Sequence, residues 1–185
     1  ELGMTNAHYN DISQYRDVES LNYYKILLDQ GKTKEQALKV LAARSRDNSR
    51  TPMQWSDDKN AGFTEGTPWI EAPENYKEIN AETELKDPDS IYSFYKKLIA
   101  LRKEKDIIAE GTIEFLEKEN ADVLAYRRNY QGEELIVLNN LTAENVTIRQ
   151  QPEWKAYQKR LGNYEKITAE DGKITLRPVE TIVLD

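Results

Sequence analysis

The feature that most constrains this chain is a change of hydrophobic period after Lys105. Before it, apolar residues recur every three to four positions, as Ile91, Phe94, Tyr95, Leu98 and Leu101 do. That spacing puts them on one face of a helix. After it, apolar and polar residues alternate in short runs over 112–118, 123–128, 134–138, 146–148, 155–161, 173–176 and 181–184. The runs are separated by turn residues such as Gln131-Gly132, Gly162-Asn163 and Asp171-Gly172, which predicts antiparallel strands in a sandwich or sheet. The expected fold class is therefore α+β, with helices and loops over 1–105 and an antiparallel β domain over 106–185.

Within the first part, Leu21, Tyr24 and Leu28 predict a helix over 15–29, with Ser13 as its N-cap, acidic Asp17 and Glu19 near its start and Gly31 at its end. Thr33 with Gln36 forms a capping box for a helix to about Ala43. Asn80 should cap a short turn over 81–86, and Ser90 a strong helix over 91–103. Between these, 44–79 has no clear period and is broken by Pro52, Gly62, Gly66, Pro68 and Pro73. An ordered loop of this length is usually functional or lies over another surface. Trp55, Phe63, Trp69 and Tyr76 are expected to anchor it as packing residues.

The densest chemistry lies in 45–55, which reads Ser-Arg-Asp-Asn-Ser-Arg-Thr-Pro-Met-Gln-Trp. Fork-shaped donors, amides and an aromatic face suit a sugar or another polyol. A net charge of −7 lacks the basic footprint of a nucleic-acid binder. With no cysteine there is neither a disulfide framework nor a thiolate metal site, and a cytosolic setting is expected. No apolar run approaches the roughly 18 residues of a membrane helix, so no membrane partner is expected. No metal spacing, Gly-rich phosphate loop or cofactor motif is present. The sole histidine, His8, sits in a polar segment without a Ser/Asp partner. Asp57 and Asp58 are adjacent and tend to point apart, so no two-carboxylate glycosidase pair is visible. The residues alone read as a polyol-binding loop on a helical unit followed by a β domain, without a complete active site.

The motifs at 1–6, 15–22, 45–55, 60–64, 75–80 and 98–103 occur in an order that resembles the C-terminal third of bacterial retaining α-glucosidases of the α-amylase superfamily. The types nearest in wording are trehalose-6-phosphate hydrolase, oligo-1,6-glucosidase and dextran glucosidase. The resemblance is weakest in 143–172. It implies the terminal helices and long eighth βα loop of a (β/α)₈ barrel over 1–105, with Glu1 just after the eighth strand, followed by a β-sandwich domain over 106–185. It also implies that the catalytic carboxylates lie upstream in the same polypeptide, and that no catalytic residue belongs to these 185. What it carries over is substrate binding. Arg46 matches the arginine that grips the non-reducing glucose before the scissile bond. Glu19 matches a glutamate lining the subsite after it, and Arg50 supports either group. The implied substrate is a glucoside or a phosphorylated disaccharide, with no cofactor. The alternative is a stand-alone carbohydrate-binding or structural module. A barrel portion would leave the apolar stripes of its helices uncovered, whereas a module would cover them.

Overall fold

The computed structural model describes residues 1–185. They divide into two compact units, residues 1–93 and 94–185.

The first unit is built on an antiparallel helix pair, α1 (Val18–Asp29) and α2 (Lys34–Arg44). Helix α1 ends in a Schellman motif: the Gly31 amide donates to the Leu28 carbonyl at 2.9 Å and the Lys32 amide to the Leu27 carbonyl at 3.1 Å. This places Gly31 at φ +84°, which only glycine adopts without strain. The capping box at α2 forms as expected: Thr33 Oγ1 accepts from the Gln36 amide at 3.2 Å, and Gln36 Oε1 accepts from the Thr33 amide at 3.0 Å. Tyr15, Leu27, Ala37, Leu41 and Ile70 form the buried centre of this unit. The rings of Tyr9 and Tyr15 meet edge to face at 5.2 Å.

The N-terminus of α1 differs from expectation. Ser13 does not cap it. Asp11 caps a separate 3-10 turn, Ile12–Gln14, and Asp17 caps α1 itself, accepting from the Ser20 amide at 3.1 Å. The cause is tertiary. Asp47 Oδ2 accepts from the amides of Arg16 at 2.7 Å and Asp17 at 3.0 Å, which holds residues 15–17 extended and delays the helix.

The segment 44–79 contains short 3-10 turns, Arg46–Ser49, Lys59–Gly62 and Glu74–Lys77. It ends at α3 (Ala81–Lys86), capped by Asn80 Oδ1, which accepts from the Thr83 amide at 2.9 Å. Three of the four expected aromatic anchors do not anchor it: Trp55, Phe63 and Trp69 are 53%, 51% and 64% exposed, while Tyr76 is half-buried. Fully buried Gln54, Ala61 and Ile70 hold the loop instead. Gln54 donates through Nε2 to the Ile79 carbonyl, and its backbone carbonyl accepts from the Ala81 amide at 2.8 Å. Helix α4 (Ile91–Glu104) begins at the end of this unit, with Ser90 Oγ accepting from the Ser93 amide at 3.1 Å, and from Phe94 on belongs to the second unit. Its residues Ile91, Tyr95, Leu98 and Ile99 remain exposed.

The second unit adds a short helix, α5 (Ile107–Glu110), and strands β1 (Thr112–Leu116), β2 (Val123–Tyr130), β3 (Glu133–Asn140), β4 (Val146–Arg149), β5 (Lys159–Gly162), β6 (Thr168–Glu170), β7 (Lys173–Leu176) and β8 (Thr181–Leu184). They form a five-stranded sheet, β1-β2-β3-β8-β5, and a three-stranded sheet, β4-β7-β6, antiparallel throughout. Inward residues of both sheets meet in one core: Val123, Ala125, Ile136, Leu138, Ile182 and Leu184 from the larger, Ile148, Ile174 and Leu176 from the smaller. This is the expected sandwich. The other face of the larger sheet buries Leu135, Val137 and Val183 against Ile107. Strand β3 is thus apolar on both faces, which is why its alternation is faint in the sequence.

The β2–β3 hairpin closes through Gln131 and Gly132 at φ +49° and +88°, the two-residue turn whose twist matches the strands. Tightness of this turn carries β2 to Tyr130, beyond the expected end at 128. The expected strand over 155–161 is also corrected. Pro152 starts a 3-10 turn, Pro152–Ala156, that buries Trp154, and pairing begins only at Lys159. Strand β6, unexpected from the sequence, is exposed along its length and forms only by pairing with β7.

Candidate functional site: a polar joint at the arginine turn

Ser45 ends α2 and starts the turn Arg46–Ser49, its Oγ accepting from the Asp47 amide at 3.2 Å. Asp47 is completely buried. One of its oxygens takes the two amides before α1, as above. The other, Oδ1, has no hydrogen-bond partner and lies 4.0 Å from Arg50 Nη1. Asp17 is also buried, and its Oδ1 lies 3.9 Å from the same Arg50 nitrogen. Ser20 Oγ sits 2.9 Å from Asp17 Oδ2 and 2.9 Å from Ser45 Oγ. Two carboxylates, two serines and one guanidinium therefore tie the start of α1 to the turn after α2. Asn48 adds a staple, accepting from the Ala7 amide at 3.1 Å and donating to the Ala42 carbonyl at 2.9 Å.

Burial pushes Asp17 up, but the Ser20 hydroxyl and amide, then the charges of Arg46 and Arg50, outweigh it and hold Asp17 below its ordinary value of 3.8. A carboxyl depressed in the folded state stabilises the fold above its unfolded value, and that contribution is lost as pH falls through the lower folded value. Asp17→Asn keeps a capping oxygen but removes the charge. It should destabilise the chain at pH 7, with a penalty that shrinks as the solution is taken to about pH 3. Urea midpoints of both proteins across that range measure it.

The three residues expected to bind substrate occupy different positions around this joint. Glu19 is exposed in the first turn of α1 and lines a cleft of about 180 Å³ with Asp17, Ser20, Arg44 and Ser45. Arg46 is exposed, does not line that cleft and forms no salt bridge within this chain, though its charge reaches Asp17. Arg50 is also exposed, with one guanidinium nitrogen 3.9 Å from Asp17 and 4.0 Å from Asp47. Sequence reasoning assigned no role to Asp47, Ser20 or Ser45. A buried carboxylate looks locally like a solvated one, and the Ser20–Ser45 contact spans 25 positions.

Beyond the joint, Asn60, Ala61 and Gly62 are all left-handed, at φ +55°, +61° and +65°. The Ala61 carbonyl accepts from the amides of Trp55 at 2.9 Å and Ser56 at 3.2 Å. This turn leaves the Trp55 and Phe63 rings outward rather than packed. A larger cleft of about 660 Å³ is lined by His8 together with Asn6, Tyr9 and Glu35. No group of three or more His, Cys, Asp or Glu side chains is arranged to hold a metal, and no helix is long and apolar enough to cross a membrane.

A helical and loop unit carrying this arginine turn, followed by a two-sheet β unit, is the C-terminal architecture of an amylase-type glycosidase, and the chain belongs to the α-amylase family. Residues 1–111 match the family described as "Alpha amylase, catalytic domain", and residues 123–183 the one described as "Alpha-amylase SusG C-terminal domain". Among individual proteins, the chain is 47% identical over 190 residues to trehalose-6-phosphate hydrolase of Bacillus subtilis, covering 99% of this chain and 33% of that protein. It is 42% identical over 187 residues to oligo-1,6-glucosidase of Bacillus cereus, again covering 99% of this chain and 33% of the relative. The crystal structure of trehalose-6-phosphate hydrolase from Bacillus licheniformis superposes with a TM-score of 0.92 at 45% identity, over 99% of this chain and 34% of that one. The chain thus spans about a third of the length of the curated relatives it matches.

Proposed function

We propose that this chain is the C-terminal third of a retaining exo-α-glucosidase. Its substrates are trehalose 6-phosphate or short α-1,6-linked gluco-oligosaccharides. In this reading residues 1–105 are the end of the catalytic barrel, 106–185 are its C-terminal β domain, and the remaining barrel of the same polypeptide supplies the catalytic carboxylates. One carboxylate attacks to form a covalent glucosyl intermediate and another donates and then recovers a proton. This chain binds substrate. Arg46 grips the hydroxyls of the non-reducing glucose through its fork of donors. Glu19 lines the subsite of the leaving portion, and Arg50 supports both from below.

The observation that carries the reading is the polar joint. It fixes an arginine with no ion pair of its own close to the start of the helix that bears Glu19, in a chain 47% and 42% identical to a trehalose-6-phosphate hydrolase and an oligo-1,6-glucosidase. The uncovered apolar residues of α4 agree with it, since such a stripe requires a further surface to bury it.

The full-length polypeptide containing this chain should release glucose from trehalose 6-phosphate or isomaltose, and the sugar freed first should be the α-anomer by NMR. No release from any α-glucoside, or first release of the β-anomer, would overturn the reading. The 185 residues alone should release none; hydrolysis by them would place catalytic groups within this chain.

A further inference from the structure

We infer that Arg50 is a positioning residue whose task is to neutralise buried Asp47, and that the Asp47–Arg50 pair is what keeps Arg46 and Glu19 in register. This rests on the functional reading above for its consequence in substrate binding, but not for the pair itself.

The argument is one of burial and charge. Asp47 is fully buried, and a buried carboxylate without a partner is costly enough that a structure supplies one. Its Oδ2 is satisfied by two backbone amides, but Oδ1 has no hydrogen bond. The cation within reach is Arg50, 4.0 Å away, which lies equally close to Asp17 at 3.9 Å. A guanidinium held between two buried carboxylates is poorly placed to turn toward a sugar. Arg46 forms no salt bridge in the chain, and only the longer-range attraction of its charge to Asp17 acts on it. The two arginines of the turn are therefore divided in function: Arg46 outward to the ligand, Arg50 inward to the fold. Asp47 is the hinge pin between them. Its side chain bonds the amides that lead into α1, three and two residues before Glu19, while its own backbone follows directly on Arg46. Any shift of Asp47 displaces both substrate residues together.

The pair predicts a specific non-additivity in the full-length polypeptide. Arg50→Gln leaves Asp47 buried and uncompensated, whereas Asp17 keeps the Ser20 amide and hydroxyl and the charge of Arg46; the substitution should lower the melting temperature by about 5 °C or more and raise KM about tenfold. Asp47→Asn keeps an acceptor for the two amides and removes the charge. In the double variant Asp47→Asn/Arg50→Gln, most of the melting loss should disappear, and KM should return to within about threefold of Asp47→Asn alone. If Arg50 gripped substrate directly, its KM penalty would persist undiminished in the Asp47→Asn background, and that result overturns the inference. Should Arg50→Gln alone not fold, folding of the double variant is itself the expected rescue, and failure of both is the contrary result. Arg50→Lys adds a second discriminator: a counter-charge role lets it recover most of the Arg50→Gln loss, whereas a forked sugar contact does not tolerate the exchange. If the unmodified polypeptide hydrolyses no α-glucoside, the functional reading fails, while the melting cycle still decides the pair.

Discussion

Replacing Arg46 with Ala in the full-length polypeptide should reduce kcat/KM by about 100- to 1,000-fold, or roughly 3–4 kcal/mol of transition-state binding. The size follows from what is lost. A guanidinium that donates two hydrogen bonds to sugar hydroxyls contributes on the order of 1.5–3 kcal/mol per charge-assisted bond. Stability should change little, because Arg46 is exposed and forms no salt bridge in this chain, and what it contributes is its longer-range attraction to Asp17; surface positions of this kind usually shift stability by within about 0.5 kcal/mol. Steady-state kinetics beside a thermal melt therefore separate the two effects. Arg46→Lys should also lose most of the activity, since an ammonium cannot present the planar fork. Loss below about threefold in Arg46→Ala, with a normal melt, would remove Arg46 from the site. The contrast with Arg50 matters: there the melting temperature and the activity should fall together.

The largest effect on stability should come from Leu138→Ala in β3. Leu138 is completely buried where the two sheets meet, beside Ile182 on β8 and Ala125 on β2 in the register of the larger sheet. Removing the isobutyl group forfeits most of its transfer energy and leaves a cavity in a core held on both sides by paired strands, which cannot easily collapse. The expected cost is about 2–5 kcal/mol. For a unit of this size each 1 kcal/mol corresponds to about 4–8 °C, so the melt of the β unit should fall by roughly 10 °C or more. Urea denaturation of the chain followed by tryptophan fluorescence should register the change, since Trp154 is buried in the same core. A shift smaller than about 1 kcal/mol would mean that the two sheets do not share one packed core.

Neither effect needs the other: Arg46 lies in the first unit and Leu138 in the second. The outcome of each variant thus reads one unit at a time.

Much of this was legible in the residues. The period change after Lys105 separated a helical part from a β part because the two regular structures repeat at 3.6 and 2.0 residues, a property of the backbone alone. Thr33 with Gln36, Asn80 and Ser90 marked helix starts, and Gly31 a helix end, because orphan amides and a left-handed φ are local requirements with local solutions. The order of motifs carried the family, and the arginine turn stood out because its side chains have no ordinary use in a loop. What the residues could not disclose was decided at a distance. Ser13 looked as good a cap as Asp17 until Asp47, thirty positions on, took the Arg16 and Asp17 amides and set where α1 begins. Trp55, Phe63 and Trp69 looked like anchors because large aromatics usually bury, yet the loop is held by Gln54, Ala61 and Ile70, and the rings are left outside. Strand β6 exists only because β7 pairs with it. The proposed division of labour between Arg46 and Arg50 is of the same kind. Their side chains are identical in type and four positions apart, and only the placing of buried Asp17 and Asp47 within 4.0 Å of Arg50 distinguishes them. Local chemistry determined which elements form and which residues could hold a sugar; long-range burial of charge decided which of them are available to do so.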